Sequence, residues 1–122
     1  MANQKSSEIL EEMIQLSVDV ISICQKLSLP PAVISQITRS VTSIGANYSE
    51  AQDASSKKDF INKIYIAKKE AAETKYWLAI IAKLSGNPSD INVLSEKVQR
   101  FVMMLQKIVN TSKESKPQMA NR

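Results

Sequence analysis

Residues 9–27 read ILEEMIQLSVDVISICQKL, and this stretch decides the fold of the chain. Its apolar side chains recur at alternating intervals of four and three residues, the spacing of a buried helix seam in a bundle. The stretch therefore predicts one long amphipathic helix. Pro30 and Pro31 follow it, and they suit both a helix end and the opening of the next helix. The seam positions are Ile9, Met13, Leu16, Val20, Ile23 and Leu27.

The same spacing recurs three more times, and no stretch alternates with the period of two that is typical of a strand. We therefore predict an all-α, up-down-up-down four-helix bundle over residues 1–111. Ser6 or Ser7 can cap the first helix, and the polar residues 112–122 are expected to form a disordered tail. The predicted helices cover approximately residues 7–28, 31–53, 56–85 and 89–111.

The composition excludes most enzyme classes that are visible in a sequence. The 122 residues include no histidine, one cysteine and two glycines. Histidine-based acid–base and nucleophilic catalysis, thiolate zinc sites and glycine-rich phosphate loops are thereby excluded. Cys24 lies in an apolar helical stretch, which favours a core residue over a reactive thiol. We expect no catalysis, no cofactor and no metal site.

The sequence also carries no pattern that directs a protein to a membrane. The first residues, MANQKSSEILEEM, lack the basic-then-apolar order of a signal peptide. No apolar run approaches the roughly 20 residues that span a bilayer. The expected location is therefore the cytoplasm, with no membrane partner.

The charge of the chain is concentrated on the predicted third helix. Between Lys57 and Lys83 there are seven lysines against three acids, an excess equal to the net charge of +4 of the whole chain. At about 100° per residue, six of these lysines fall within about one third of the helix circumference, with Tyr65 and Tyr76 in the same sector. We call these six the lysine stripe. They are Lys57, Lys58, Lys68, Lys69, Lys75 and Lys83.

Three interpretations of the lysine stripe remain open. It can be a solvated helix face, or it can meet the acidic first helix of a neighbouring subunit. It can also bind the phosphate backbone of RNA or DNA, which requires lysines but no base-reading motif. No helix-turn-helix, zinc finger or aromatic RNA-binding sheet is present, so such binding is expected to follow shape and charge.

Two features of the central helices suggest contacts between subunits. Gly45 lies in mid-helix and forms with Ala46 a flat patch that permits close approach of another helix, within or between subunits. Room for a ligand is the alternative for this patch. Trp77 lies on a flank of the third helix, where a large aromatic favours an interface anchor over a base-stacking platform or plain core packing.

Arg39, Asn47, Glu50 and Glu73 are candidates for one polar network. Asn47 and Glu50 are three residues apart and share a helix side, while Arg39 lies two turns earlier. Glu50 or Glu73 needs a partner if it is buried, and we expect Arg39, a lysine or a tyrosine hydroxyl to supply it. The network can set helix register, line a binding site, or form a carboxylate site for metal or catalysis.

Two motifs resemble a known family. Residues 42–51 read TSIGANYSEA, and residues 56–61 and 66–78 read SKKDFI and IAKKEAAETKYWL. They are similar to the bacterial four helix bundle protein family, which is related to the ribosomal RNA intervening-sequence proteins and to the accessory variability determinant of diversity-generating retroelements. The resemblance covers roughly residues 10–110.

That resemblance implies a bundle that assembles as a ring-like homopentamer. For the retroelement relative it further implies binding of RNA and of a reverse transcriptase. Together with the lysine stripe, it predicts a non-enzymatic oligomeric nucleic-acid-binding or ribonucleoprotein accessory protein. The alternative is a structural or adaptor protein that binds another protein and has no nucleic-acid role.

Overall fold

The structure, a computed structural model, describes residues 3–86 and 89–114. These residues form four α-helices and contain no strand, which confirms the predicted all-α four-helix bundle. The helices are α1 (Gln4–Lys26), α2 (Pro31–Gln52), α3 (Lys57–Ser85) and α4 (Ser89–Glu114).

The first helix begins earlier than predicted because a different residue caps it. Asn3 is the N-cap, and its side chain accepts a hydrogen bond of 2.8 Å from the backbone N–H of Ser6. Asparagine satisfies free helix N–H groups as well as serine does, so the helix opens one turn before the expected serine caps. At α3 the predicted cap is present, since Ser56 accepts from the N–H of Asp59 at 3.0 Å.

The far ends of the helices also differ slightly from the prediction. Helix α1 ends at Lys26, before the predicted end, whereas α3 ends at Ser85 as predicted and is followed by the C-cap Gly86, whose φ of 71° lies in the left-handed region that glycine tolerates. Helix α4 continues to Glu114, so residues 112–114 are helical and do not belong to a disordered tail. The predicted tail from 115 to 122 lies outside the described residues.

Helices that are adjacent in sequence are adjacent in space. Helix α3 packs extensively against both α2 and α4, and α1 packs against α2. The contact between α1 and α4, which closes the bundle, is the sparsest of the four. A groove of about 390 Å³ runs along this seam, with Leu16 and Phe101 among the residues that line it. Helices α3 and α4 are therefore packed together more extensively than α1 and α4, so the face that α3 and α4 form rests on a firmer helix contact.

The core consists of the predicted seams with small shifts. Met13, Leu16 and Val20 are buried as expected, whereas Ile9 and Phe60 are only partly buried at its edge. Two polar residues, Ser40 and Thr74, are fully buried among the apolar side chains, which the sequence pattern did not indicate. Burial of seams from all four helices supplies most of the free energy that orders them, since helices in proteins are stabilised mainly by packing of their apolar faces.

Candidate nucleic-acid interface

The lysine stripe runs along the flank of α3 that faces α4 and solvent. Lys58, Lys69 and Lys83 are exposed, and Lys57 is exposed as well. Lys68 and Lys75 are half-buried, since they lie closer to α4. From the first to the last lysine the stripe covers about 39 Å at 1.5 Å per residue.

The two half-buried lysines are held by glutamines of α4. Lys68 Nζ donates to Gln106 Oε1 at 2.5 Å, and Lys75 Nζ donates to Gln99 Oε1 at 2.6 Å. In each helix the two partners are seven residues apart, so both pairs lie on the same side of the α3–α4 contact. A neutral amide fixes the position of the ammonium group and leaves its positive charge in place.

Tyr65 lies at the centre of a basic cluster near the start of α3. Lys68 Nζ is 5.1 Å from the centroid of its ring, and Lys113 Nζ is 5.5 Å from it. These distances place both ammonium groups in cation–π contact with one ring that is 47% exposed. A depression of about 460 Å³ beside the ring is lined by Tyr65, Lys58, Asp59 and Lys113, among others.

Helix α4 adds lysines to this face that the pattern of α3 did not indicate. Lys113 approaches Tyr65, and Lys107 lines with Lys68 a shallow depression of about 410 Å³ that also includes Met103. The seven-residue spacing of Gln99, Gln106 and Lys113 is a sequence signal for one flank of α4. It does not reveal which neighbouring helix that flank meets. We call the lysine stripe together with Lys107 and Lys113 the basic face.

Few acids compensate the basic face. Among residues 3–86 and 89–114, no carboxylate lies within ion-pair distance of Lys58, Lys68, Lys69, Lys75, Lys83, Lys107 or Lys113. Asp59, the acid nearest the Tyr65 depression, accepts a hydrogen bond from the backbone N–H of Ser55 at 3.3 Å. This face therefore has an excess of positive charge, which favours the approach of polyanions.

The polar network candidates form two separate ion-pair groups between α2 and α3. Arg39 donates to Glu70 Oε1 at 3.1 Å and to Glu73 Oε2, which also accepts from the indole N–H of Trp77 at 3.1 Å. The hydrogen bonds from Trp77 and Arg39 lower the pKa of Glu73, and the bond to Glu73 raises the pKa of Arg39. Glu70 had not been expected in this group.

Glu50 and Asn47 lie apart from the arginine. Glu50 pairs with Lys63 at 3.0 Å, and this contact raises the pKa of Lys63. The side-chain amide of Asn47 donates to the backbone carbonyl of Ser43 at 2.9 Å. The four predicted residues therefore do not converge on one site. Within the described part of the chain, no group of three or more carboxylates and thiols is positioned to hold a metal ion.

The three predicted interface residues have different surroundings. An added Cβ on Gly45 would lie 3.4 Å from Met13 Cβ and 3.7 Å from Leu10 Cδ1, so Gly45 lies where α1 and α2 approach closely. Ala46 is exposed, and Trp77 is half-buried and packs against the edge of the core. An interface role for these residues stays a prediction.

The described residues thus define the class of all-α four-helix bundles, here with lysines from α3 and α4 along one face. Residues 5–107 match the family described as 23S rRNA-intervening sequence protein, and the chain belongs to this family. None of its described helices is long and apolar enough to cross a membrane.

One solved structure supports the same relationship. It is the 1.70 Å crystal structure of a protein of unknown function from the S23 ribosomal protein family of Bacteroides thetaiotaomicron VPI-5482. The two chains are 31% identical, and their structures align with a TM-score of 0.76 over 88% of this chain and 99% of that one. No curated protein matches the chain.

Proposed function

We propose that this protein is a non-catalytic RNA-binding or ribonucleoprotein accessory protein that contacts the nucleic-acid backbone through its basic face. The observation that carries the proposal is a row of lysines on α3 of which Lys58, Lys68, Lys69, Lys75 and Lys83 have no described carboxylate within ion-pair distance. Lysines so arranged attract phosphates and release the counterions condensed on the polyanion. The family description, which names the intervening sequence of 23S rRNA, points to the same ligand class.

The basic face is preorganised for a backbone ligand. Gln99 and Gln106 hold two of its ammonium groups in fixed positions, so less side-chain freedom is lost when a phosphate binds. A phosphate oxygen can replace a glutamine oxygen as the acceptor for a lysine ammonium group. No buried charge remains after this exchange, because the released glutamine amide is neutral. DNA presents the same phosphate chemistry, and it is the comparison ligand in the test.

The test is binding of a fluorescently labelled, structured RNA, followed by polarisation at about 50 mM salt and at rising salt. Reversal of three lysines in one variant, Lys68→Glu, Lys69→Glu and Lys75→Glu, is expected to weaken binding more than about ten-fold and to flatten its salt dependence. A control variant with Lys5→Glu, Lys26→Glu and Arg100→Glu has the same net charge and is expected to bind much better. Absence of binding at the lowest salt contradicts the proposal.

We further propose a homo-oligomer, with a pentamer as the expected size from the family resemblance. Exposed Ala46 and half-buried Trp77 are candidates for its interface. Size-exclusion chromatography with light scattering measures the mass directly. Variants Ala46→Arg and Trp77→Ala are expected to lower that mass if these residues lie between subunits, and an unchanged mass assigns the interface elsewhere.

An adaptor role is the second candidate, because α1 exposes apolar residues that a folded monomer leaves uncovered. Ile14 and Val18 are 47% and 49% exposed on one side of this helix. A protein partner, of which a reverse transcriptase is one example that the resemblance suggests, would be retained after nuclease treatment and at high salt. A partner that is lost under both conditions would instead be held through nucleic acid.

A further inference from the structure

Two exposed tyrosines lie on the basic face, and their placement bears on the kind of RNA that fits it. Tyr65 is 47% exposed and Tyr76 is 62% exposed. They are eleven residues apart on α3. At this spacing their directions differ by only about 20° around the helix axis, and their positions differ by about 16 Å along it. Both rings therefore project from the same face, among the lysines.

Each ring is supported on one side and accessible on another. Tyr76 meets Trp77 edge to face, with the ring centroids 5.3 Å apart and an angle of 73° between the planes. Trp77 is in turn anchored by its hydrogen bond to Glu73. Tyr65 carries the ammonium groups of Lys68 and Lys113 within 5.5 Å of its centroid. Exposed aromatic rings flanked by fixed positive charges are typical of surfaces that bind unpaired nucleotides.

We propose that the basic face binds an unpaired RNA segment, with bases stacked on Tyr65 and Tyr76 and the connecting phosphates on the surrounding lysines. This inference rests on the proposed RNA-binding function and specifies its substrate class. In a duplex the bases are already stacked on one another, so the rings gain no partner there.

The contacts at Tyr65 suit such an exchange. A lysine ammonium over an exposed ring is a weaker contact than a base stacked on that ring. Lys113 can therefore leave the ring for a phosphate oxygen while a base takes its place, and Lys68 stays beside the ring on Gln106. Exposed Met103, which is 62% accessible on α4, adds an apolar surface beside Lys68 and Lys107. Stacking of this kind tolerates every base, so no sequence preference is expected.

The experiment compares an oligouridylate of about 12 nucleotides with a blunt RNA duplex of about 12 base pairs at the same low salt. The single strand is expected to bind more tightly at equal salt. Tyr65→Ala and Tyr76→Ala are each expected to weaken single-strand binding by roughly 5- to 100-fold and to leave duplex binding unchanged. Tyr65→Phe, which keeps the ring, is the matched control and should bind like the parent protein.

Stacking itself is measured with a 2-aminopurine base placed in the single strand. The emission of this base is expected to change when the protein binds. No such change is expected with the variant that combines Tyr65→Ala and Tyr76→Ala. Circular dichroism verifies that the variants remain helical. Equal loss of duplex and single-strand binding, or tighter duplex binding, overturns this inference. If the tyrosine variants bind normally while lysine reversal abolishes binding, the inference fails and the proposed function stands. If neither RNA binds at about 50 mM salt, both fail.

Discussion

Thr74 of α3 donates its hydroxyl to Ser40 Oγ of α2 at 2.9 Å, inside an otherwise apolar core. Both side chains are fully buried, and each has a second partner in its own helix. Thr74 Oγ1 lies 2.8 Å from the carbonyl oxygen of Glu70, and Ser40 Oγ lies 3.2 Å from that of Ile37. The pair joins two helices. Each hydroxyl has one proton, so Thr74 donates either to Ser40 or to the Glu70 carbonyl, and each hydroxyl retains a carbonyl of its own helix within reach if its partner is removed.

Replacement of one hydroxyl is therefore expected to have a moderate cost. Thr74→Val keeps the side-chain shape, leaves Ser40 bonded within α2, and should lower the free energy of unfolding by about 1 kcal/mol. Ser40→Ala combined with Thr74→Val should cost less than the sum of the two single changes, because both remove the same bond. Urea unfolding of the four proteins measures this coupling. Thr42→Val, at an exposed threonine, is the control and should change stability by less than about 0.5 kcal/mol.

The two glycines should respond to alanine in opposite directions. Gly45 is helical, and the nearest atom to an added Cβ is Met13 Cβ at 3.4 Å, an ordinary contact. Gly45→Ala should therefore stabilise the bundle by up to about 1 kcal/mol through helix propensity. Gly86→Ala should destabilise it by roughly 1 kcal/mol, because the φ of 71° strains any L side chain. Thermal unfolding measures both. A loss of stability in Gly45→Ala would show that the α1–α2 contact cannot accept a methyl group.

Glu73 should contribute to stability only above acidic pH. Its pKa is lowered in the folded protein by hydrogen bonds from Trp77 and Arg39. The stabilisation is therefore present above the pKa of an unfolded glutamate and is lost as pH falls through the lower folded value. Glu73→Gln should be less stable than the parent protein at neutral pH and should approach it in acid. Because Arg39 and Glu73 are substantially exposed, high salt should reduce the difference.

Trp77 allows the same titration to be followed in the folded state. It is the single tryptophan of the chain, so its fluorescence reports on the surroundings of one indole, which include the hydrogen bond to Glu73. Its emission is expected to change at a pH below the ordinary glutamate range and to show no such transition in Glu73→Gln. A transition that persists in this variant would assign the pH response to another group.

Cys24 should resist thiol reagents until the bundle opens. Burial in the core leaves 2% of the residue exposed and raises the pKa of the thiol, so little thiolate is available. Labelling with a disulfide reagent should be slow in buffer and complete in denaturing urea, and its rate should follow the opening of α1. A moderately destabilised variant such as Thr74→Val should react faster. Rapid labelling of the native protein would contradict the packing of α1 described here.

The helices were predictable because each seam repeats at the helical period. The pattern alone predicts the burial of Ile37, Ile64 and Leu105, and all three are buried. The helix boundaries at Pro31 and Gly86 follow from local backbone preferences. The candidate site was predictable only in part. The stripe of α3 lysines is a property of one helix, whereas the split of Arg39 and Glu50 into separate ion pairs depends on which residues of α3 lie opposite them.

The intervals along each helix were enough to predict four amphipathic helices and a net positive charge on the third helix that equals that of the whole chain, because both properties belong to single helices. Only the tertiary structure decided that Lys113 lies over Tyr65 and that Gln99 and Gln106 hold Lys75 and Lys68. Contacts between helices depend on how each rotates about its axis when its seam is buried. That rotation is set by side-chain packing across all four helices, and the spacing within one helix does not specify it.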